Sequence, residues 1–269
     1  MTNSGSHGLV KFNKIEDSMH TFEKFEQMGN KHGWLSKVKG PAIQLPIMRV
    51  PWDCTGIDNQ NGQMKATISL SFEIGNPHHE LLQDKLNGLD TRAVNHIIAN
   101  KDKIFAGKKV PSDEMISDQM FYRIIKPSNQ PDKYGPTMKA KLEVQANPAF
   151  AALGAAPENE EIEAIAITNE GDEPQAKRPR VAGPVEPYIP AIGCYTRDQG
   201  EVPINKALAK GCKVRLVVAL RHVWCINGRM GLTLYGHRMI VEEFPRTIAT
   251  FDFDLNDDEN EGEEFASSA

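Results

Sequence analysis

The stretch GCKVRLVVALRHVWCINGRMGLTLYGHRMIVEE (residues 211–243) decides the fold. It reads as a strand, a second strand, a tight turn and a third strand. Val214, Leu216, Val218 and Leu220 alternate with Lys213, Arg215, Val217 and Ala219, the period of two that puts one set inward and the other outward. Asn227-Gly228 is the preferred pair for a type I′ hairpin turn, whose two central residues both need positive φ. Gly231 and Gly236 mark expected bulges or bends that curve a barrel wall. One more strand, PYIPAIGCYT (187–196), precedes this meander.

Working outward, the clearest early strand is MKATISLSFEI (64–74), with Ala66, Ile68, Leu70, Phe72 and Ile74 on one face. PAIQLPIMRVPW (41–52) alternates around prolines and suits an edge strand. Between residues 77 and 105 the pattern turns helical. Leu81, Leu82 and Leu86 form one stripe, NGLD (87–90) breaks it, and Val94, Ile97 and Ile98 form a second, with Asp90 as its N-cap. A third short helix is predicted at SDEMISDQM (112–120), capped by Ser112. The strands FYRIIKP (121–127) and TMKAKLEV (137–144) follow, joined by the turn-rich SNQPDKYGP. Near the start, KIEDSMHTFEKFEQMGN carries helical hints, with Met19, Phe22 and Phe25 placed to share a face. The expected class is β-rich (α+β): a small closed or partly open barrel with additional strands and two or three short helices. Two separate domains hinged at 150–187 are the alternative.

Two segments fall outside any core. Residues 145–187 are rich in Ala, Pro, Gly and Glu, and 150–187 are read as an acidic, disordered insertion. Residues 251–269 form an acidic tail with eight carboxylates (Asp252, Asp254, Asp257, Asp258, Glu259, Glu261, Glu263, Glu264) and no Lys or Arg, interspersed with Phe251, Phe253 and Phe265. Residues 1–149 and 188–250 then supply the two parts of one binding domain. The formal charge is −5; taking away −8 for the tail and −5 for residues 156–187 leaves +8 on the body. A basic body with acidic segments suits a polyanion ligand.

No phosphate-cradling loop, dinucleotide fingerprint, nucleophile elbow or zincin helix is present, so the chain is read as a binding protein rather than an enzyme, with no cofactor. Four scattered cysteines (Cys54, Cys194, Cys212, Cys225) give no zinc spacing and read as buried thiols; adjacent His78 and His79 diverge and read as surface residues, and no metal site is expected. No apolar run spans a bilayer and no signal-peptide core opens the chain, so neither a membrane nor secretion is expected.

What the body offers is cations interleaved with aromatic rings. Tyr122 and Arg123 precede Lys126, Tyr134, Lys139 and Lys141; Tyr195 lies close to Arg197; Lys213 and Arg215 share a face leading toward Arg221; Trp224, Arg229, Tyr235 and Arg238 flank the hairpin. Single-stranded nucleic acid is bound by this chemistry: cations neutralise phosphates, and each exposed ring stacks a base for ~1–3 kcal/mol. Any one of these residues has an ordinary structural alternative, and a Trp beside Val223 and Cys225 is more often core than platform. Their combination carries the reading. Lys177, Arg178 and Arg180 in AKRPRV (176–181) resemble a nuclear-import signal.

KALAKGCKVRLVVALRHVWCINGRMGLTLYGHRMIV (206–241) and FYRIIKPSNQPDKYGPTMKAKL (121–142) together resemble the single-stranded-DNA-binding proteins of large nucleocytoplasmic DNA viruses. The resemblance implies an OB-like barrel, no catalysis, and a role in viral DNA replication, recombination or repair. It favours Lys139, Lys141, Lys213, Arg215 and Trp224 near the binding face. The acidic tail with its phenylalanines is similar to the acidic C-terminal peptides of bacterial and phage single-strand binders, a likeness that implies competition with DNA for the basic groove and recruitment of replication or repair proteins. The host nucleus or a cytoplasmic viral replication site is the expected location, and homo-oligomerisation is open. A non-enzymatic virion or assembly protein is the alternative.

Overall fold

The computed structural model describes residues 8–29, 33–54, 57–60, 63–147 and 188–245. The insertion with Lys177, Arg178 and Arg180, and the tail with its carboxylates and Phe251, Phe253 and Phe265, lie outside the described residues. The N-terminal segment supplies β1 (Leu9–Lys11), β2 (Thr21–Phe22) and β3 (Glu26–Gln27), followed by β4 (Gly33–Lys39), β5 (Ala42–Arg49), β6 (Ile57–Gln60) and β7 (Gln63–Ser71). Helix α1 (Pro77–Ala99) leads to the short β8 (Phe121–Tyr122) and β9 (Ile125–Lys126) and the long β10 (Thr137–Ala146). From residue 188 come β11 (Tyr188–Ala191), β12 (Gly193–Tyr195), β13 (Lys213–Ile226) and β14 (Arg229–Glu243).

Five of these strands close a ring. β5 meets β7, β7 pairs with β10, β10 runs parallel to β14, β14 pairs with β13, and β13 returns antiparallel to β5. This is the OB-like barrel, and strands from both sides of residues 148–187 share it. Its interior is filled by the inward members of each alternation, including Ile43, Ala66, Ile68, Leu70, Met138, Ala140, Leu142, Val214, Leu216, Val218 and Leu234, all at most 4% exposed. The β5–β7 seam is a single bridge, Arg49 opposite Ser71, held by the Ser71 hydroxyl donating to the Arg49 carbonyl at 3.1 Å.

Several local expectations are corrected. Residues 211–243 form two long strands rather than three, because the breaks in alternation are absorbed as register shifts inside one ladder. One shift makes His237 an extra residue beside Gly236, and another makes Arg221 extra between Leu220 and His222. Gly231 is not a bulge but a regular partner of Trp224. The turn is as read: Asn227 and Gly228 have φ of 51° and 75°. Nor is β5 an edge strand. It pairs with β1, β7 and β13, and Pro46 is accommodated where Ile47 faces Arg215 and Gln44 faces Val217, an irregularity in which no ladder donor is needed.

Helix α1 runs unbroken through NGLD. Leu82, Leu86, Leu89, Ala93 and Ile97 make one continuous buried stripe, which outweighs the ~1 kcal/mol cost of Gly88 in a helix. Asn76, not Asp90, caps it, its side chain accepting from the His78 amide; Asp90 is instead fully buried in the helix interior. His79 is buried too, with Nδ1 accepting from the Glu73 amide at 2.7 Å and Nε2 at 2.8 Å from the Ile47 carbonyl. Residues 17–25 form a 3-10 turn and a short strand rather than a helix, with Phe25 in the core. Ile74 lies beyond the end of β7 and is 60% exposed. Ser112 caps the short helix at Asp113–Met115, accepting from the Met115 amide. The four cysteines are buried free thiols. Among the described residues no helix is long and apolar enough to cross a membrane.

Candidate nucleic-acid interface

The outward side chains of β10, β14 and β13 make one continuous face. Lys141 on β10 lies opposite Tyr235 on β14, which lies opposite Ala219 on β13; on its other side Lys141 faces Thr67 of β7. One row on, Thr233 faces His222, and His222 faces Lys37 of β4. At the hairpin end, Tyr122 of β8 pairs with Gly231, Gly231 with Trp224, and Trp224 with Leu35. Between Gly231 and Tyr235 the strand advances ~13 Å. The face therefore carries a ring pair at one end and a third ring within a few nucleotides' reach.

The rings are held from below. Tyr122 and Trp224 stand 6.1 Å apart between centroids, tilted by 31°, and the Arg229 guanidinium lies 5.8 Å from the Tyr122 centroid. Tyr122 is 45% exposed, so a ring edge is open to a ligand. Asp90 fixes the segment that carries it, its Oδ2 accepting from the Ile124 amide at 2.9 Å. Farther along, Arg221 covers the Tyr235 ring at 4.2 Å and donates to Glu143 Oε1 at 2.5 Å. A guanidinium stacked on a ring and restrained by one carboxylate keeps N–H donors for a phosphate.

Positive potential concentrates here. Burial, and then the nearby Lys65 ammonium, pull Lys141 below the ordinary lysine range. Burial and the charges of Arg221, Lys37 and Lys141 together push His222 down. His237 is lowered by burial and Arg221, against an opposing pull from Glu143. Groups that destabilise one another's charge in the free protein are relieved when an anion enters, the electrostatic condition for a phosphate-binding face.

Of the residues singled out in the sequence, Tyr122, Lys141, Arg221, Trp224 and Tyr235 are brought together, and Lys139, opposite Ser69, lies two residues before Lys141 on the same exposed side of β10. Others are not. Lys213 pairs with Glu243 at 2.8 Å, while Arg215, at 3.0 Å, and Arg197 both bind Glu242. These pairs lie at the far end of the barrel: Lys213 and Trp224 are separated by ~36 Å of strand. Burial raises the Glu242 carboxyl, but its two arginine partners outweigh that and hold it below the usual range. Tyr195 sits at the same end, its ring folded back over Gly193. Arg238 is exposed beside it, opposite Val217 and Gly193. Arg123 points away from Tyr122, over the Phe121 ring at 5.5 Å, and lines a cleft of about 440 Å³ with Gln83, Asn87 and Thr91 of α1. Lys126 lies on β9, paired with Thr137 of β10, and Tyr134 is 66% exposed in the segment before β10; neither lines that cleft.

Sequence reading missed Lys37, Lys65, His222 and His237. Lys65 lies on β7 with no aromatic ring beside it in sequence to mark its side as a binding face. His222 is displaced outward by the bulge at Arg221, which alternation from Leu220 assigns to the wrong side, whereas His237 shares the parity of outward Tyr235.

No family model matches the chain, and no curated protein matches it in sequence. Among solved structures, the single-stranded DNA-binding protein of bacteriophage Enc34 in complex with single-stranded DNA aligns over 84% of this chain and 98% of its own, at 11% identity and a TM-score of 0.37. The single-stranded DNA-binding protein gp2.5 of bacteriophage T7 aligns over 78% of this chain and 96% of its own, at 11% identity and a TM-score of 0.45. Both come from bacteriophages rather than from large nucleocytoplasmic DNA viruses, and at these scores no residue role is carried over from either.

Proposed function

We propose that this chain binds single-stranded DNA without sequence preference, along the outer face of β10, β14 and β13, and is not an enzyme. The observation that carries this reading is the row in which Lys141, Tyr235 and the Arg221 guanidinium meet, continued by Tyr122 and Trp224 at the hairpin end. Rings stack bases of any identity and cations meet the phosphates, so affinity follows chain chemistry rather than sequence. In this reading residues 1–149 and 188–250 are two parts of one binding domain. The resemblance of residues 121–142 and 206–241 to viral single-strand binders supports a place in viral DNA replication, recombination or repair. The acidic tail supports a regulatory role, competing with phosphate for the groove and recruiting replication or repair proteins; AKRPRV supports nuclear import.

The test is a titration of the full chain with unstructured oligonucleotides and with duplex of equal length, at two salt concentrations. Tight binding of single strands, weaker binding of duplex and a steep loss with salt are expected. Equal affinity for both forms, or indifference to salt, overturns the reading.

A further inference from the structure

We propose that His222 is a phosphate contact of this face and that binding of single-stranded DNA draws a proton onto its ring. The inference rests on the single-strand reading above and specifies how one residue of the face works.

His222 reaches the outer surface because of the bulge in β13. Leu220 faces Leu234 and His222 faces Thr233, so Arg221 is the extra residue and consecutive side chains leave the core together. The groups around the imidazole come from four strands. On β13 its neighbour Arg221 is cationic; from β4, Lys37 lies directly opposite; from β10, Lys141 acts on it through space; from β14 it meets Thr233, which does not titrate. The carboxylate of Glu143, on β10, is engaged by Arg221 at 2.5 Å. His237 sits farther along β14, where the charges of Arg221 and Glu143 act on it in opposite senses. The ring is half-buried among three cations.

Burial, and then the surrounding cations, disfavour the imidazolium in the free protein and favour the neutral ring. A phosphate bound between Lys37, Lys141 and Arg221 reverses the local sign. Protonation then costs less, and the imidazolium gains a charge-assisted hydrogen bond to a phosphate oxygen. The proton comes from solvent, so complex formation takes it up and affinity rises as pH falls.

Full-length protein and oligothymidylate, whose bases do not titrate near neutrality, give the test. Calorimetry at about pH 7 in two buffers of different ionisation enthalpy counts the protons bound. Wild type is expected to take up a fraction of a proton, up to one, and to lose affinity between pH 6 and pH 8 by at most about tenfold per unit. His222→Gln should bind with no uptake and little pH dependence, close to wild type at pH 8 and weaker at pH 6. His222→Lys, charged throughout, should be pH-independent and at least as tight as wild type at pH 8, which serves if the Gln variant folds poorly. Uptake that persists in both variants, or that disappears in His237→Gln instead, overturns the assignment. Wild-type binding without proton uptake overturns it as well but leaves the single-strand reading standing, whereas failure of the wild type to bind at either pH removes that reading too.

Discussion

The indole of Trp224 rests against the backbone of Gly231, its cross-strand partner: a Cβ on that glycine would stand 2.9 Å from Trp224 Cζ2 and 3.2 Å from Nε1. The missing side chain is what lets the ring settle close to the sheet and within 6.1 Å of Tyr122. Gly231→Ala is therefore expected to lift the indole and misalign the pair. A loss of roughly 1 kcal/mol, about fivefold in affinity, is the expected part of a stacking contribution. Anisotropy with a labelled oligonucleotide measures it, and unchanged affinity would show that the indole's position is irrelevant to binding.

Removing the rings themselves should cost more. Trp224→Ala and Tyr122→Ala are each expected to weaken single-strand binding by ~1–3 kcal/mol while leaving duplex binding nearly constant. If the two rings form one platform, the double variant loses less than the sum of the singles, and the coupling appears in a double-mutant cycle. Strict additivity would place them on separate bases.

Salt dependence should separate the cations of the proposed face from those that serve the barrel. Lys139→Ala and Lys141→Ala should each reduce the slope of log K against log salt by about 0.7, the value for one phosphate contact on a single strand. Lys213→Ala and Arg215→Ala should leave the slope unchanged, because Glu243 and Glu242 already occupy those charges at the far end of β13. A slope change from the second pair as large as that from the first would extend the groove along the whole strand.

The barrel was legible because its signals are local. Alternation in 213–220 and 66–72 and the Asn227-Gly228 turn each depend on adjacent residues. What misled was every place where packing overrode a local sign. Gly88 and Asp90 look like a break, yet the stripe from Leu82 to Ile97 carries the helix through. The candidate site was half legible for the same reason. Residue types identified Tyr122, Lys141, Trp224 and Tyr235. Arg197 and Arg215 carry the same chemistry, but both are engaged by Glu242, 27 residues beyond Arg215, a pairing that spacing does not reveal. His222 was hidden by a one-residue bulge.

Asp90 links stability to pH. Its side chain is fully buried, Oδ2 accepts from the Ile124 amide, and Oδ1 has no partner among the described residues. Burial raises its pKa to about 7, against smaller opposing effects of the Ile124 hydrogen bond and the Arg123 charge; the unperturbed carboxyl titrates at 3.8. The folded chain therefore holds this proton more tightly than the unfolded chain. The associated stability is complete below about pH 3.8 and is lost as pH rises through 7. Asp90→Asn keeps an acceptor for the Ile124 amide without the charge. It should be more stable than wild type above pH 7, by an amount on the order of a few kcal/mol, and the difference should shrink toward pH 4. Asp90→Ala strands a buried donor instead and should cost about 1–3 kcal/mol where Asn does not. That variant also frees the segment carrying Tyr122, so its loss of single-strand affinity should exceed that of Asp90→Asn. Urea unfolding of the three proteins across pH 4–8 measures the stability terms. A wild-type-minus-Asn difference that stays flat over that range would mean that Asp90 is not the titrating group.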